Sequence, residues 1–591
     1  MTEFSQNGSP LRFFCAKTKV ALLPVRLNGW ERLNDSFEFA LDLMVPRDHT
    51  RLPGMGDMGG EARGHFDLFH HLLGKPAGVT VELDQELSRH FNGIIWSVKQ
   101  FDSDAIFDHY RVVLKPQLAR LGLVKRSRIF QNQTTPEILK EVLEPVGGAV
   151  FELNGGNTPR IYCTQYNETD LEFFLRLCNE EGISHYWQHA TKGHETVERG
   201  NTQGDDNDKP PETMHTLVLT NNTTLCQSIG QIQYNPSLGG SDLKPGIHSW
   251  QVEQKLTPTL GQLFDSNFQS YGRVFQAQAS GPESIEAGGR SYKTQAAPGP
   301  WVCSGLPVVR QFDAITSTGT ADPGAISLIG DAQEHQARLA AKGMAADSVR
   351  VIARGDCGQV TAGHSFELRG HDHQNGHWLA VRVDHKIEVV GSYWSGQSAS
   401  VGREALIEAA PLSLAQVPWP PCVKNKVNGV ETAMVTGPKS LDTFVDPYGR
   451  VKVNFWFDPR QEKNSTSSCW VRVAQGWAGK GYGAAFWPRI GHEVVVSFEG
   501  GDPDRPIITG SVYNGTNQPP FDLPENVYLS GFKTLCQGGD VSENYHLLLL
   551  SDERGAEVVH IHAEARFNTT QESSQVNMKP LLDVSVQGKI L

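Results

Sequence analysis

Residues 446–515 constrain the fold most, because they read as consecutive short strands joined by tight turns. One run alternates apolar and polar residues, the period of two that places apolar side chains on one face of a pleated strand. Its apolar members are Val451, Val453, Phe455 and Phe457, and its intervening members are Lys452, Asn454 and Trp456. Val494, Val496 and Phe498 repeat the alternation, and Gly- and Pro-rich turns at 446–449 and 500–504 separate the runs. About five such strands predict a small closed barrel of the OB type.

The whole chain has the composition of a multidomain β-rich protein. Its 591 residues are too many for one hydrophobic core, and its 59 glycines and 33 prolines favour many turns. The apolar run at 547–550 is far shorter than the roughly 18 residues that span a bilayer. We therefore expect several domains and no integral membrane segment.

The N-terminal residues and the cysteines indicate a chain that stays in the cytosol after synthesis. The first twenty residues lack the basic and then apolar layout of a secretory signal, so no signal peptide is predicted. The nine cysteines are odd in number and form no CxxC pair, which argues against a disulfide framework or a zinc ribbon. Buried, reduced thiols are the expected state.

Charge argues against nucleic acid as a partner. The net charge is −13, and residues 446–515 carry eight basic and seven acidic side chains, an excess of one positive charge. A barrel that binds single strands combines stacking aromatic rings with a basic groove. Phe455, Trp456 and Phe457 supply aromatic rings, but the groove is missing, so nucleic-acid binding is not predicted.

Upstream of about residue 415 the pattern is β-rich and contains three predicted helices with recognisable terminal signals. The first helix is predicted to have Thr135 as N-cap and Pro136 at its first position, and Gly147 can end it. In the second helix Thr169 and Glu172 form a predicted capping box and Gly182 is the predicted end, and in the third Asp331, as N-cap, and Glu334 form a second predicted capping box.

Two groups of histidines are candidate metal ligands. His364, His371, His373 and His377 fall within fourteen residues, but no cysteine lies nearby and histidines at loop ends are commonly only hydrogen-bonded. His560 and His562 would project from the same side of a strand, and in a trimer six imidazoles would lie near a threefold axis. Capped or solvated histidines are favoured over a metal in both groups, and the axial site stays an open alternative.

The sequence supports candidate catalytic groups even less than it supports metal ligands. Glu499, Asp502 and Asp504 cluster in a turn, and paired carboxylates can cleave glycans, but turn propensity explains both aspartates. The glycine-rich stretch 479–483 matches no phosphate-binding motif and is predicted to be a loop, and GxSxG and HExxH are absent. No catalytic, cofactor-binding or metal residue is predicted, and no cofactor.

The motifs DPYGRVKV, WPRIGHEVVVSFEGGDPDRPIITG and SVYNG, all within 446–515, resemble the barrel of the VgrG family, the trimeric spike proteins of bacterial type VI secretion. FNGIIWSV at 91–98, SRIFQNQTTPEIL at 127–139 and YNETDLEFFLRLCNEEGISHYW at 166–187 resemble the hub of this family, and 362–385 resembles its second barrel. The family is related to the tail spikes of contractile phages. The resemblance covers most of 10–560, interrupted by predicted loops at 52–64 and 191–215.

This resemblance implies a mainly β fold with a few helices. A phage baseplate-hub-like region of two β barrels is expected at 1–415, an OB-fold collar at 416–523, and the start of an intertwined triangular β-helix stem at 524–591 in a homotrimer. Residues 565–591 show no regular valine-glycine repeats, so the stem is expected to be short, atypical or truncated. No stretch has room for an added toxin or lysozyme-like domain.

The implied function is that of a structural spike and not of an enzyme. Such a spike caps the Hcp tube at its hub base, carries a PAAR-repeat tip protein and effectors or adaptors at its stem, and punctures the target envelope. It is cytoplasmic before firing and is then secreted or delivered to the target cell. A prophage or tailocin tail spike with the same architecture, and a metal-dependent or cell-wall hydrolase, remain as alternatives.

Overall fold

The protein forms two compact units. Unit 1 contains residues 1–316, 320–426 and 502–504, and unit 2 contains 317–319, 427–501 and 505–591. The computed structural model describes residues 6, 9–15, 22–47, 63–83, 87–155, 158–189, 215–236, 245–294, 301–304, 311–390, 400–419, 424–458, 460 and 463–564. No helix in these ranges is long and apolar enough to cross a membrane.

A twelve-stranded sheet begins at the N-terminal end of unit 1. Its first strands are β1 (Leu11–Cys15), β2 (Leu23–Arg32), β3 (Phe37–Pro46), β4 (Pro76–Glu82), β5 (Ser88–Gln100) and β6 (Phe107–Lys115), with helix α1 (Arg63–Leu72) between β3 and β4 in the chain. They pair antiparallel in the order β1-β4-β5-β6-β3-β2. Alternate residues of β3, from Phe37 to Val45, are buried, so one face of this strand forms core.

Two helices complete that core. The elements of this stretch are β7 (Lys125–Phe130), α2 (Thr135–Leu143), β8 (Val150–Glu152), β9 (Cys163–Thr169), α3 (Asp170–Glu181), β10 (Ser184–His189) and β11 (His215–Thr220). The strands form two small sheets, β7-β9 and β10-β11-β8. Ile138 of α2 and Phe173 and Leu177 of α3 are fully buried in the same core as β3, because each helix directs an apolar stripe inward.

The helix starts agree in part with the predicted ones. Thr169 and Glu172 form the predicted capping box of α3, and Gly182 ends it in a left-handed conformation, so both predictions are confirmed. The predicted N-cap Thr135 is wrong by one residue. Thr134 caps α2, because its side chain accepts from the Glu137 backbone N–H while the Glu137 carboxylate accepts from the Thr134 backbone N–H.

The later part of unit 1 builds a second core on the same sheet. Its elements are β12 (Ser228–Gln233), β13 (Ile247–Gln254), β14 (Leu260–Ser266), β15 (Val274–Ser280), β16 (Ser284–Ala287), β17 (Arg290–Lys293), β18 (Trp301–Ser304), α4 (Leu328–Ala346), β19 (Val349–Gly355), β20 (Ser365–Arg369), β21 (Gly376–Val390) and β22 (Ser400–Pro411). The long sheet continues from β2 through β21-β22-β19-β13, with β20 pairing β21 and β12. Phe366, Trp378 and Ile407 are fully buried in this core, and β15-β14-β18 and β16-β17 form separate sheets.

Helix α4 does not begin at the predicted capping box. It begins at Leu328 with Ser327 as N-cap and no side-chain capping bond, so Asp331 lies inside the first turn and its assignment as N-cap is wrong. An acidic residue in the first turn is still favoured by the helix dipole, which explains why the sequence signal looked like a cap.

Unit 2 contains a five-stranded sheet, the number predicted. Its strands are β23 (Glu431–Thr436), β24 (Lys452–Phe455), β25 (Arg472–Val473), β26 (Glu493–Phe498) and β27 (Pro506–Val512), in the order β24-β23-β26-β27-β25. Val494, Val496 and Phe498 are buried on one face of β26, as predicted. In β24 the intervening Lys452 and Asn454 are buried as well, with the Lys452 Nζ 5.1 Å from the centre of the Trp470 ring.

A smaller sheet follows the five-stranded one. Its three antiparallel strands are β28 (Leu529–Lys533), β29 (Leu547–Ser551) and β30 (Val558–His562). The expected stem residues 565–591 and nearly all of the two predicted loops, 52–64 and 191–215, lie outside the described residues. The seven cysteines with described side chains are free thiols, and six of them are buried.

Candidate assembly surface

The sheet β28-β29-β30 presents large apolar side chains to solvent. Phe532, Leu548 and Ile561 are cross-strand neighbours in one row, and Leu550 and Val559 are neighbours in the next. Residues directly opposite each other on paired strands project to the same face. Phe532 is 59% exposed, Val559 66% and Ile561 52%, and both leucines are exposed. These five residues are called the apolar face below.

His560 and His562 lie on the opposite face of the same sheet. His560 is paired with Leu549 and His562 with Leu547, so the two imidazoles share one side of β30, as predicted. The His562 ring centre lies 4.8 Å from that of Tyr545, and its Nε2 is 3.7 Å from a Glu564 carboxylate oxygen. Both histidines therefore lie on the side of the sheet away from the apolar face.

The five-stranded sheet is flanked by exposed aromatic side chains. They include Tyr448, Trp456, Trp477, Tyr482, Phe486, Trp487 and Tyr513. Phe455, Trp456 and Phe457 are the adjacent aromatic residues considered above for stacking on nucleic-acid bases. Phe455 is buried and stacks on Phe457 with ring centres 4.9 Å apart. Of the three, only Trp456 is exposed. These three residues therefore do not form a row of stacking platforms.

The four histidines at 364–377 do not converge. His364 is buried, with its Nδ1 3.3 Å from the Ala362 carbonyl oxygen and its ring against Tyr186. His371 packs on the Tyr234 ring and its Nδ1 accepts from the His373 backbone N–H, while His377 is paired with Glu367 across β20 and β21. Across the described parts of the chain, no three His, Cys, Asp or Glu side chains are grouped closely enough to hold a metal ion.

The carboxylates in the turn at 499–504 are held in ion pairs. Glu499 pairs with Arg472 at 3.0 Å. Asp502 and Asp504 are buried and both contact the Lys424 Nζ, and Asp504 also accepts from the Thr164 backbone N–H at 2.6 Å. Burial raises the pKa of Asp504. Burial alone would lower the pKa of Lys424, but the two aspartates raise it.

A larger buried ion-pair network surrounds α3 in unit 1. Arg176 contacts Glu168 at 2.6 Å and Glu180 at 2.8 Å, and Arg160 contacts Glu180 at 2.6 Å and Glu181 at 2.5 Å. Burial alone would raise the pKa of Glu180, but Arg176 and Arg160 lower it to about 2. Each buried charge thus has a partner of opposite sign, which offsets its desolvation. Sequence reasoning missed this network, and the i, i+4 spacing of Arg176 and Glu180 was its one local signal.

The glycine-rich stretch 479–483 forms the tip of a hairpin, which agrees with the predicted loop. Gly479 donates its backbone N–H to the Tyr482 carbonyl oxygen at 2.8 Å, and Ala484 donates to the Trp477 carbonyl oxygen at 2.8 Å. The backbone N–H groups of Gly479 and Ala484 are therefore bonded within the hairpin and do not form a cradle for a phosphate.

Comparisons with known proteins agree on one architecture. The family described as phage tail baseplate hub (GPD) matches residues 30–390, and the type VI secretion system/phage-baseplate injector OB domain matches 442–513. The type VI secretion system spike protein VgrG1b of Pseudomonas aeruginosa is 31% identical over 559 residues, which are 93% of this chain and 66% of that protein. VgrG1a of the same organism is 32% identical over 556 residues, 92% of this chain and 75% of that protein.

A solved structure supports the fold. It is that of the E. coli c3393 protein, described as a component of the type VI secretion system with structural similarity to the T4 bacteriophage tail proteins gp27 and gp5. The TM-score is 0.52 at 15% identity, over 85% of this chain and 100% of that one. The chain thus has a mostly β, phage-tail-like hub fold and an OB domain, and it spans about two thirds to three quarters of its two spike relatives.

Proposed function

The chain belongs to the VgrG family of type VI secretion system spike proteins, and on this premise we propose that it is the structural spike of such a machine and works as a homotrimer. The spike transmits the force of a contracting sheath to a target envelope and performs no chemistry. In support of a non-enzymatic role, the aspartates that invited a hydrolase hypothesis are buried in ion pairs with Lys424.

The apolar face of β28-β30 carries the proposal. Five large apolar side chains lie exposed on one side of a three-stranded sheet, and in the described residues β28 and β30 pair only with β29. Exposed apolar patches of this kind mark interaction surfaces. Burial of a fully exposed side chain of this type contributes roughly 1.5–3 kcal/mol, and each of these, which is about half exposed, contributes roughly half of that. Three copies related by a threefold axis bury the same face of each chain around that axis.

The assignment of domains and partners follows the family. We assign 1–415 to the hub, 416–523 to the barrel collar and 524–591 to the start of a three-chain β-helix stem. The hub base binds the hexameric Hcp tube, and the stem binds a PAAR-repeat tip protein and effectors or adaptors. Unit 1 has two hydrophobic cores on one long sheet, so three chains would contribute six, the number that a pseudo-sixfold base needs. The spike is cytoplasmic before firing and leaves the cell with the tube.

Solution mass tests the homotrimer. The full chain should elute in light-scattering chromatography with three times the 65.1 kDa mass of one chain. The double substitution Leu550→Lys with Val559→Lys places two charges on the apolar face and should give a monomer, because these charges cannot be buried unpaired. His560→Lys, on the opposite face of β30, is the matched control and should remain trimeric.

Two outcomes would contradict the proposal. One is a wild-type chain that is monomeric at micromolar concentration, and the other is a trimer that His560→Lys disrupts and the double substitution does not. In the source bacterium, the double substitution should also abolish release of the tube protein into the medium. Undiminished release would show that the apolar face is not needed for a working spike.

A further inference from the structure

A short hairpin of unit 2, residues 474–487, presents aromatic side chains that the family assignment leaves unexplained. We call it the aromatic hairpin. Trp477 is 66% exposed, Tyr482 64% and Phe486 60%, although each is large enough to dominate a core or an interface. Three such rings exposed within ten residues form an apolar patch of the kind that marks an interaction site.

The aromatic hairpin is held together by several cross-strand contacts. Besides the two cross-hairpin backbone bonds, the Gln475 side chain donates to the Phe486 carbonyl oxygen at 3.1 Å and accepts from the Phe486 backbone N–H at 3.0 Å. Gly483 has φ of +138°, and a Cβ there would lie 2.3 Å from the Trp477 carbonyl oxygen, so glycine permits the close approach of the two strands. The Trp477 and Tyr482 rings meet edge to face with centres 5.7 Å apart. Aromatic groups fixed in this way lose little entropy on binding.

The aromatic hairpin is continuous with the apolar face. Phe486 stacks on Phe532 with ring centres 5.6 Å apart and planes at 12°. Arg489, two residues after the hairpin, donates a hydrogen bond to the Leu535 carbonyl oxygen. Elsewhere in unit 2, Asp442 accepts a hydrogen bond from the Gly538 backbone N–H at 2.7 Å. These contacts all lie within unit 2, so one surface runs from Trp477 through Phe486 to the apolar face.

We infer that the aromatic hairpin is a second contact between copies of this chain, with Trp477 and Tyr482 packing against a neighbouring protomer. The contact presupposes the homotrimer proposed above, because a copy seated on the apolar face extends past Phe532 onto the adjoining rings. Tryptophan and tyrosine are enriched among the residues that dominate binding energy in protein interfaces. The only charged side chain within 474–487 is Lys480, so the patch meets a partner of mainly apolar character.

Site-specific photocrosslinking tests this contact on the full chain. Benzoylphenylalanine is placed at Trp477 or at Tyr482, and the irradiated protein is separated by denaturing electrophoresis. We expect bands of two and three joined chains from both positions in the otherwise wild-type protein. The same probes in the Leu550→Lys with Val559→Lys background should give only single chains, which ties the crosslink to assembly.

The outcomes separate the two proposals. A wild-type monomer overturns the homotrimer and the hairpin contact together. A wild-type trimer that yields no joined chains overturns the hairpin contact alone. An exposed aromatic patch also suits stacking on sugar rings, so sedimentation with insoluble peptidoglycan is the competing test. If the trimer sediments with peptidoglycan and Trp477→Ser with Tyr482→Ser abolishes this, the hairpin is free in the trimer and the inferred contact is wrong.

Discussion

At the scale of single residues, buried histidines should make unit 1 sensitive to acid. His215 accepts a hydrogen bond at Nε2 from the Gln117 backbone N–H, and His189 accepts one at Nδ1 from the Asn92 backbone N–H. A ring nitrogen that accepts must be unprotonated. Burial lowers the pKa of His215 to about 4, and that of His185 to about 4 as well. The folded unit therefore holds these rings neutral.

Protonation should consequently destabilise unit 1 below neutral pH. The pKa of His215 is about 4 in the folded state and about 6.5 when unfolded, so the unfolded state binds the extra proton first. The stabilisation is present above pH 6.5 and is lost as the pH falls towards 4. Because of this histidine, the free energy of unfolding should be about 2 kcal/mol lower at pH 5 than at pH 7.

The measurement is chemical denaturation of the full chain at pH 7 and at pH 5. Unfolding of unit 1 is monitored by the amide hydrogen exchange of peptides from that unit. His215→Gln should reduce the loss between the two pH values by about 2 kcal/mol, because glutamine does not titrate. The matched control is His373→Gln at an exposed loop position. An unchanged pH dependence in His215→Gln would show that this ring is not held neutral.

At the scale of helices and strands, local sequence signals located most elements but not always their first residue. The alternation in β26 and the capping box of α3 depend on neighbours in the sequence, so they were predictable. At α2 two adjacent threonines were both candidates for the N-cap. The T-x-x-E spacing from Thr134 to Glu137 favours Thr134, which is the N-cap in the structure. The position of Lys424 between Asp502 and Asp504 was not predictable, because its partners are about eighty residues away in the chain.

The two predicted capping boxes supply an experiment at this scale. Thr169→Ala removes a side chain that accepts from the Glu172 backbone N–H at 3.1 Å, which should destabilise the first turn of α3 by about 1 kcal/mol. Amide exchange of peptides from 166–187 should then accelerate about fivefold. Asp331→Ala in α4 is the control and should have a smaller effect, because Asp331 lies in the first turn and is not the N-cap. Equal acceleration at both helices would refute this distinction.

At the scale of the whole molecule, the sequence pattern could not show which face of the sheet β28-β30 exposes its apolar side chains to solvent. The run 547–550 is apolar at every position, so its alternation is hidden until pairing with β30 assigns Leu548 and Leu550 to one face and Leu547 and Leu549 to the other. The same pairing places His560 and His562 on the face away from Leu548 and Leu550. The proposed burial of the apolar face around a threefold axis would therefore exclude the axial six-imidazole site.

The proposed assembly through the apolar face predicts that thermal stability depends on protein concentration. When three folded chains dissociate as they unfold, dilution favours the unfolded chains by mass action. A tenfold increase in concentration should stabilise each chain by about 0.9 kcal/mol, so the melting temperature of unit 2 should rise measurably in scanning calorimetry. The Leu550→Lys with Val559→Lys protein should melt at a lower temperature that is independent of concentration, whereas His560→Lys should keep the concentration dependence. A wild-type melting temperature that is constant over a hundredfold range would mean that unit 2 is stable without neighbours, and its exposed apolar face would then need another occupant.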